Sequence, residues 1–115
     1  MTAPKISDDP LYRLLRDSKV PEFNQRIAAG EQADLTDCDF RHINLCGLIT
    51  DKLDFSNSYF RQADLRGVDF SNCDSLEGAS IHGAKISGTY FPREVRAEEI
   101  LLSLEYGTRF RYSSS

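Results

Sequence analysis

No stretch of this chain is long and apolar enough to cross a bilayer, and Met1-Thr2-Ala3-Pro4-Lys5 runs into Ser7-Asp8-Asp9-Pro10 without the apolar core of a secretory signal. A cytoplasmic location is the default expectation. Cysteine is scarce: three residues, an odd number with no secretory context, read as reduced thiols rather than a disulfide framework. A surplus of either charge is missing as well. The 14 basic and 18 acidic residues leave a net charge of -4, too mild to mark a nucleic-acid binder or an acidic tail. Neither direct nucleic-acid binding nor membrane association is expected.

The motifs of catalysis are lacking too. There is no strand-turn-helix nucleophile elbow and no Gly-rich phosphate loop. No catalytic residue, cofactor site or metal site is expected, and the chain reads as a non-enzyme. With 115 residues and a hydrophobic fraction of 40%, it has room for one globular domain.

What the chain has is a period of five. From Ala33 it reads ADLTD, CDFRH, INLCG, LITDK, LDFSN, SYFRQ, ADLRG and VDFSN; a six-residue unit, CDSLEG, precedes ASIHG, AKISG and TYFPR, ending at Arg93. In each unit a small or apolar residue comes first, a polar residue usually second, and Leu, Phe or Ile usually third. A step of five rotates an α-helix by about 140° and sends successive strand residues to opposite faces, so neither element explains the pattern. A chain that turns a corner after every unit does, because the first and third residues of each side then point inward. Four sides make a coil of twenty residues, and the segment makes about three coils stacked through backbone hydrogen bonds.

Stacking predicts columns. Phe40 lies under Phe60 and Ile81, Leu45 under Leu65 and Ile86, and Phe70 under Phe91. The glycines at 47, 67, 78, 83 and 88 fall at corners. LITDK breaks the pattern at Ile49 and Thr50, which predicts a local distortion, and the extra residue near Ser75 predicts a bulge.

These units resemble the pentapeptide-repeat family, whose motif is A(D/N)LXX; ADLTD at Ala33 and ADLRG at Ala63 match it fully, and CDFRH, LDFSN and VDFSN match with a different first residue. The resemblance covers about half the chain. It implies an all-β solenoid, a right-handed quadrilateral β-helix. Some family members act on type II topoisomerases by imitating DNA, and such a role is implied here as an alternative, if the chain dimerises. Three coils are only about 14 Å tall, about four base pairs of duplex. The leading expectation is a protein-interaction or scaffold module whose partner the sequence does not name.

The flanks complete a single domain over 1–115. Residues 1–8 are expected to be disordered. Residues 9–30 read as a helical cap, with Asp9 as N-cap, Pro10 at the first helical position, a Leu11, Leu14, Leu15 stripe, a second helix from Pro21 carrying Phe23 and Ile27, and Gly30 as stop. The coil segment is 33–93. Within 94–112, Glu98 and Glu99 open a helix with an Ile100, Leu101, Leu104 stripe that stops at Gly107. Leu102, Tyr106, Phe110 and Tyr112 are extra apolar surface, either folded on the last coil or forming a homodimer contact. Ser113 to Ser115 read as a frayed end.

The outward columns supply the candidate surface. Asp34, Asp54 and Asp74 are expected to align on one side, and Arg41, Arg61 and His82 on the next, with exposed Tyr59 nearby. Like charges on adjacent rungs repel, so the columns serve either as local caps of the corner backbone or as a two-signed recognition surface. Cys38, His42 and Cys46 have a spacing that suits metal ligands on one helical face. In the five-residue register their side chains diverge instead, and core packing is the reading for Cys38 and Cys73.

Overall fold

The architecture comes from a computed structural model that describes residues 4–112. The corner is its unit of construction. In unit after unit the third-place carbonyl accepts a hydrogen bond from the first-place N–H of the next unit, as in Leu45 O to Leu48 N (3.0 Å), Phe60 O to Ala63 N (3.1 Å) and Ile81 O to Ala84 N (2.9 Å). Each is a four-residue turn whose third residue, the fifth of the unit, has a left-handed backbone. Gly47 and Gly67 adopt φ of 89° and 75° there without a Cβ to clash. Asp37, His42, Lys52, Asn57 and Gln62 adopt φ of 55° to 65° at the same place, at a cost of about 1 kcal/mol each.

Between corners the coils pair in parallel. Asp39 bridges Tyr59 and Asn44 bridges Asp64, 20 residues apart, whereas Asp54 bridges Ser75, Tyr59 bridges Ser80, Asp64 bridges Lys85 and Asp69 bridges Tyr90, all 21 apart. The change of offset locates the extra residue, which the chain absorbs in the bend before Ser75. Each side leaves room for one bridge before the next turn. For that reason no extended strand forms among the described residues, and the β pairing of the stack consists of isolated parallel bridges. We name the sides A to D, beginning at residues 33, 38, 43 and 48 of the first coil. Side D lacks its first bridge where LITDK departs from the pattern: Thr50 turns inward, 1% exposed, and its hydroxyl donates to Asp69 O (2.6 Å) while Ile49 points out.

The core is a narrow file of rings. Phe40 and Phe60 stack at 5.0 Å, and Phe55 meets both edge-on. Phe70 continues the file to Phe91 at 6.3 Å. Both ends are closed by rings from outside the repeats, Tyr12 against Phe40 (5.3 Å) and Phe110 against Phe91 (5.9 Å).

Two helices cap the first coil. α1 (Pro10–Arg16) is N-capped by Asp9, whose carboxylate accepts from Leu11 N and Tyr12 N, and α2 (Val20–Ala28) follows. Leu11, Tyr12 and Leu15 are buried and Leu14 only partly, so Tyr12 takes the inward place that the stripe assigned to Leu14. Its hydroxyl, held up to a pKa of about 12 by burial, donates to Asp39 O (2.5 Å). Asn24 bonds Gly47 O and Ile49 N, tying α2 to the distorted unit. The expectation of disorder through residue 8 is corrected at Lys5, which bridges Cys38 and exchanges backbone bonds with Asp37 and Asp39. An edge strand offers open N–H and C=O groups, and this segment satisfies them on side B.

α3 (Ala97–Tyr106) and the tail cap the last coil, with Gly107 at the helix C-cap. The buried residues of α3 are Glu99 and Ser103, not an Ile100, Leu101, Leu104 stripe: Ile100 and Leu104 are half-buried and Leu101 is 59% exposed. The open donors of the last coil explain the inversion. Ile81 N donates to Ser103 Oγ (2.9 Å), Gly83 N to Leu104 O (3.1 Å) and Gly78 N to Phe110 O (2.9 Å). Glu99 is fixed by three bonds from Arg111, which hold its carboxyl below the usual glutamate range. No helix among the described residues is long and apolar enough to cross a membrane.

Replacing Ser103 by Ala removes the acceptor for the buried Ile81 N–H and is expected to cost about 1 to 3 kcal/mol in denaturant unfolding. Ser87→Ala, at an exposed corner, is expected to stay within about 0.5 kcal/mol. Equal effects of the two changes would refute this account of the cap.

Candidate interaction surface

Second-place carboxylates are the first candidates, and the corners explain most of them. Asp34 accepts from Thr36 N (3.2 Å), Asp54 from Ser56 N (2.9 Å), Asp64 from Arg66 N (3.2 Å) and Asp69 from Ser71 N (2.8 Å). Asn44 and Ser75 do the same for Cys46 N and Glu77 N. This two-residue reach is the Asx or Ser turn, so these side chains cap the corner that follows them. The column of Asp34, Asp54 and Asp74 does not form as expected. Ser75, not Asp74, stands opposite Asp54, because the extra residue shifts the register by one.

Arg41, Arg61 and His82 do align on side B, where His42 N bonds Arg61 O and Gln62 N bonds His82 O. Their environments differ. Arg41, its side chain 54% exposed, is paired with the buried carboxylate of Asp39 at 2.8 Å. Arg61 lies over the Tyr59 ring, 3.9 Å from its centroid, and donates to Ser80 Oγ and Gly107 O, both at 3.2 Å. His82 packs beside Gly107, partly covered, and its Nδ1 is buried without a partner.

The tail brings in a residue that the repeat pattern could not place. Arg109 donates to Gly78 O (3.1 Å) and to the Tyr59 hydroxyl (3.1 Å), and its guanidinium lies 4.8 Å from the same ring. Tyr59 is therefore half-buried at the centre of a cationic cluster on side B, not a free aromatic. Cation–π contacts of this kind contribute about 0.5 to 1 kcal/mol at exposed sites and more when desolvated.

The apolar C-terminal candidates separate into two pairs. Phe110 is 2% exposed in the aromatic file, and the Tyr112 hydroxyl accepts from Leu76 N (2.6 Å), so both serve the cap and neither is free to form a dimer contact. Leu102 and Tyr106 remain on the outer face of α3 with Leu101, Tyr106 being 72% exposed. Ser113 to Ser115 lie outside the described residues.

Cys38 is buried and its thiol is pushed up to about 12 by desolvation, while His42 sits on an exposed corner; the two do not converge. Cys73 is likewise raised to about 12 by burial. Beside α2, Ile27, Ala33 and Leu53 floor an open cleft of about 400 Å³ rimmed by Glu31, Asp51, Lys52 and Asp54.

The corner-turned coils define a stacked-coil repeat protein, whose surface is set by which residue follows each core position. A family model for pentapeptide repeats matches the chain in eight copies over residues 33–74 and 54–91, and the chain belongs to the pentapeptide-repeat family. No curated protein and no solved structure matches it.

If Asp54 serves its corner, Asp54→Asn is expected to keep wild-type stability and Asp54→Ala to lose about 1 kcal/mol in thermal or chemical unfolding. A loss in Asn equal to that in Ala would mean that the charge, not the cap, matters.

Proposed function

We propose that this chain is a non-enzymatic protein-interaction module that receives its partner on side B. The proposal takes the stacked coils to be the family's right-handed quadrilateral β-helix, a rigid support with flat sides. The observation that carries it is the Tyr59 cluster, where Arg61 and Arg109 are held in place on one ring beside the outward Arg41. Tyrosine and arginine are the residue types that dominate binding energy at protein interfaces, chiefly when preordered and partly desolvated. The same arginines count against the alternative of a DNA-mimic acting on a type II topoisomerase, which requires an uninterrupted acidic surface.

A photo-crosslinking amino acid installed at Arg41 is expected to give one adduct of defined mass in cells, suppressed by Arg61→Ala in the same chain, whereas the label at exposed Glu94 gives none. No adduct at 41, or the same adduct at 94, would overturn the assignment of side B.

A second reading, self-association, is supported by Leu101, Leu102 and Tyr106 on the outer face of α3. It predicts a solution mass that rises to a dimer with concentration and returns to monomer in Leu102→Glu. A monomer at all concentrations would reduce α3 to a cap.

A further inference from the structure

The side-B reading leaves open what chemistry the partner brings, and the inference drawn here rests on that reading. We propose that the Tyr59 cluster binds an acidic protein segment whose carboxylates pair with Arg61 and Arg109.

Charge bookkeeping on side B is the first ground. Among the described residues, neither Arg61 nor Arg109 has a carboxylate within 4.0 Å, whereas Arg41 below them is neutralised by Asp39. Two half-buried guanidiniums packed on one ring are partly stripped of water without an opposite charge, and a carboxylate paired with each offsets that cost. Their hydrogen-bond partners are all neutral: Ser80 Oγ and Gly107 O for Arg61, and Gly78 O, Asn57 O and the Tyr59 hydroxyl for Arg109.

Preorganisation is the second ground. Those neutral acceptors fix the direction of both guanidiniums, so a ligand need not order two long side chains. Arg61 commits Nε and one Nη2 donor of its five, leaving the rest for a carboxylate fork.

Nucleic acid fits the cluster less well. Two unneutralised arginines match about two phosphates, and the chain as a whole carries -4. The ring is also poorly placed to stack on a base, since Arg61 lies over it at 3.9 Å.

The probe is fluorescein-labelled octaglutamate, titrated with full-length protein at low ionic strength and followed by anisotropy. Wild type is expected to bind, Arg61→Gln to bind about tenfold more weakly, and Arg93→Gln, on an exposed corner away from side B, to match wild type. Circular dichroism verifies that Arg61→Gln is folded. Independently of any variant, arginine Nε–H signals of the wild type are expected to shift for Arg61 and Arg109 as octaglutamate is added.

No binding, equal weakening in both variants, or shifts confined to other arginines would overturn the proposal. Displacement of octaglutamate by an equal charge of oligothymidylate would overturn the choice of a protein segment over nucleic acid. A crosslinked partner at Arg41 together with no octaglutamate binding would leave the interaction surface standing and remove only its acidic ligand.

Discussion

The hydrogen bond from a third-place carbonyl to the next first-place N–H, repeated along the coils, is the constraint on which most else depends. At most corners the residue just before the new side is left-handed, Asn72 being an exception. With the direction of the chain reset so often, no side can grow beyond a single bridge, and cohesion must come from stacking. That is why the interior is a narrow column of stacked rings and aliphatic side chains and why both ends need rings and hydrogen-bond partners from outside the repeats. The surface inherits the same rule. A second-place Asp, Asn or Ser caps its own corner, so the carboxylates of Asp34, Asp54, Asp64 and Asp69 have a structural task before they can have any other.

The period made the coil segment legible without coordinates. The columns through Phe40 and Phe60, and through Phe70 and Phe91, follow from counting by fives with one extra residue, and the contacts of the rings agree. The interruption at Ile49 and Thr50 was equally visible as a break in pattern. What counting could not settle was which residue is the extra one. Asp74 and Ser75 are both polar, and only the bridge from Asp54 to Ser75 decides between them.

The caps were legible as helices but not in their inward faces. Amphipathic reasoning assumes that a helix buries its apolar stripe, yet α3 lies over a coil whose Ile81 and Gly83 N–H groups need acceptors, and Ser103 and the Leu104 carbonyl meet that need. Meeting these donors outweighs covering Leu101, which is left outside. The candidate site shows the same limit. The alignment of Arg41, Arg61 and His82 was readable from the register, but Arg109 belongs to the tail, and nothing in a five-residue period relates it to Tyr59. The choice left open for Phe110, folded on the last coil or outside it, could not be made from the period for the same reason: its place in the ring file depends on the path of a segment that the repeats do not govern.

The extra residue before Ser75 carries a consequence of its own. In a flat sheet, adding one residue reverses the facing of all that follows, moving core side chains into water. Here the addition falls in a bend, and beyond it Leu76, Ala79 and Ile81 are still interior while Ser75 still caps its corner. The coil thus separates chain length from side-chain facing. Bends between sides are where such a scaffold can gain residues, and with them a protruding loop, while its interior stays in register.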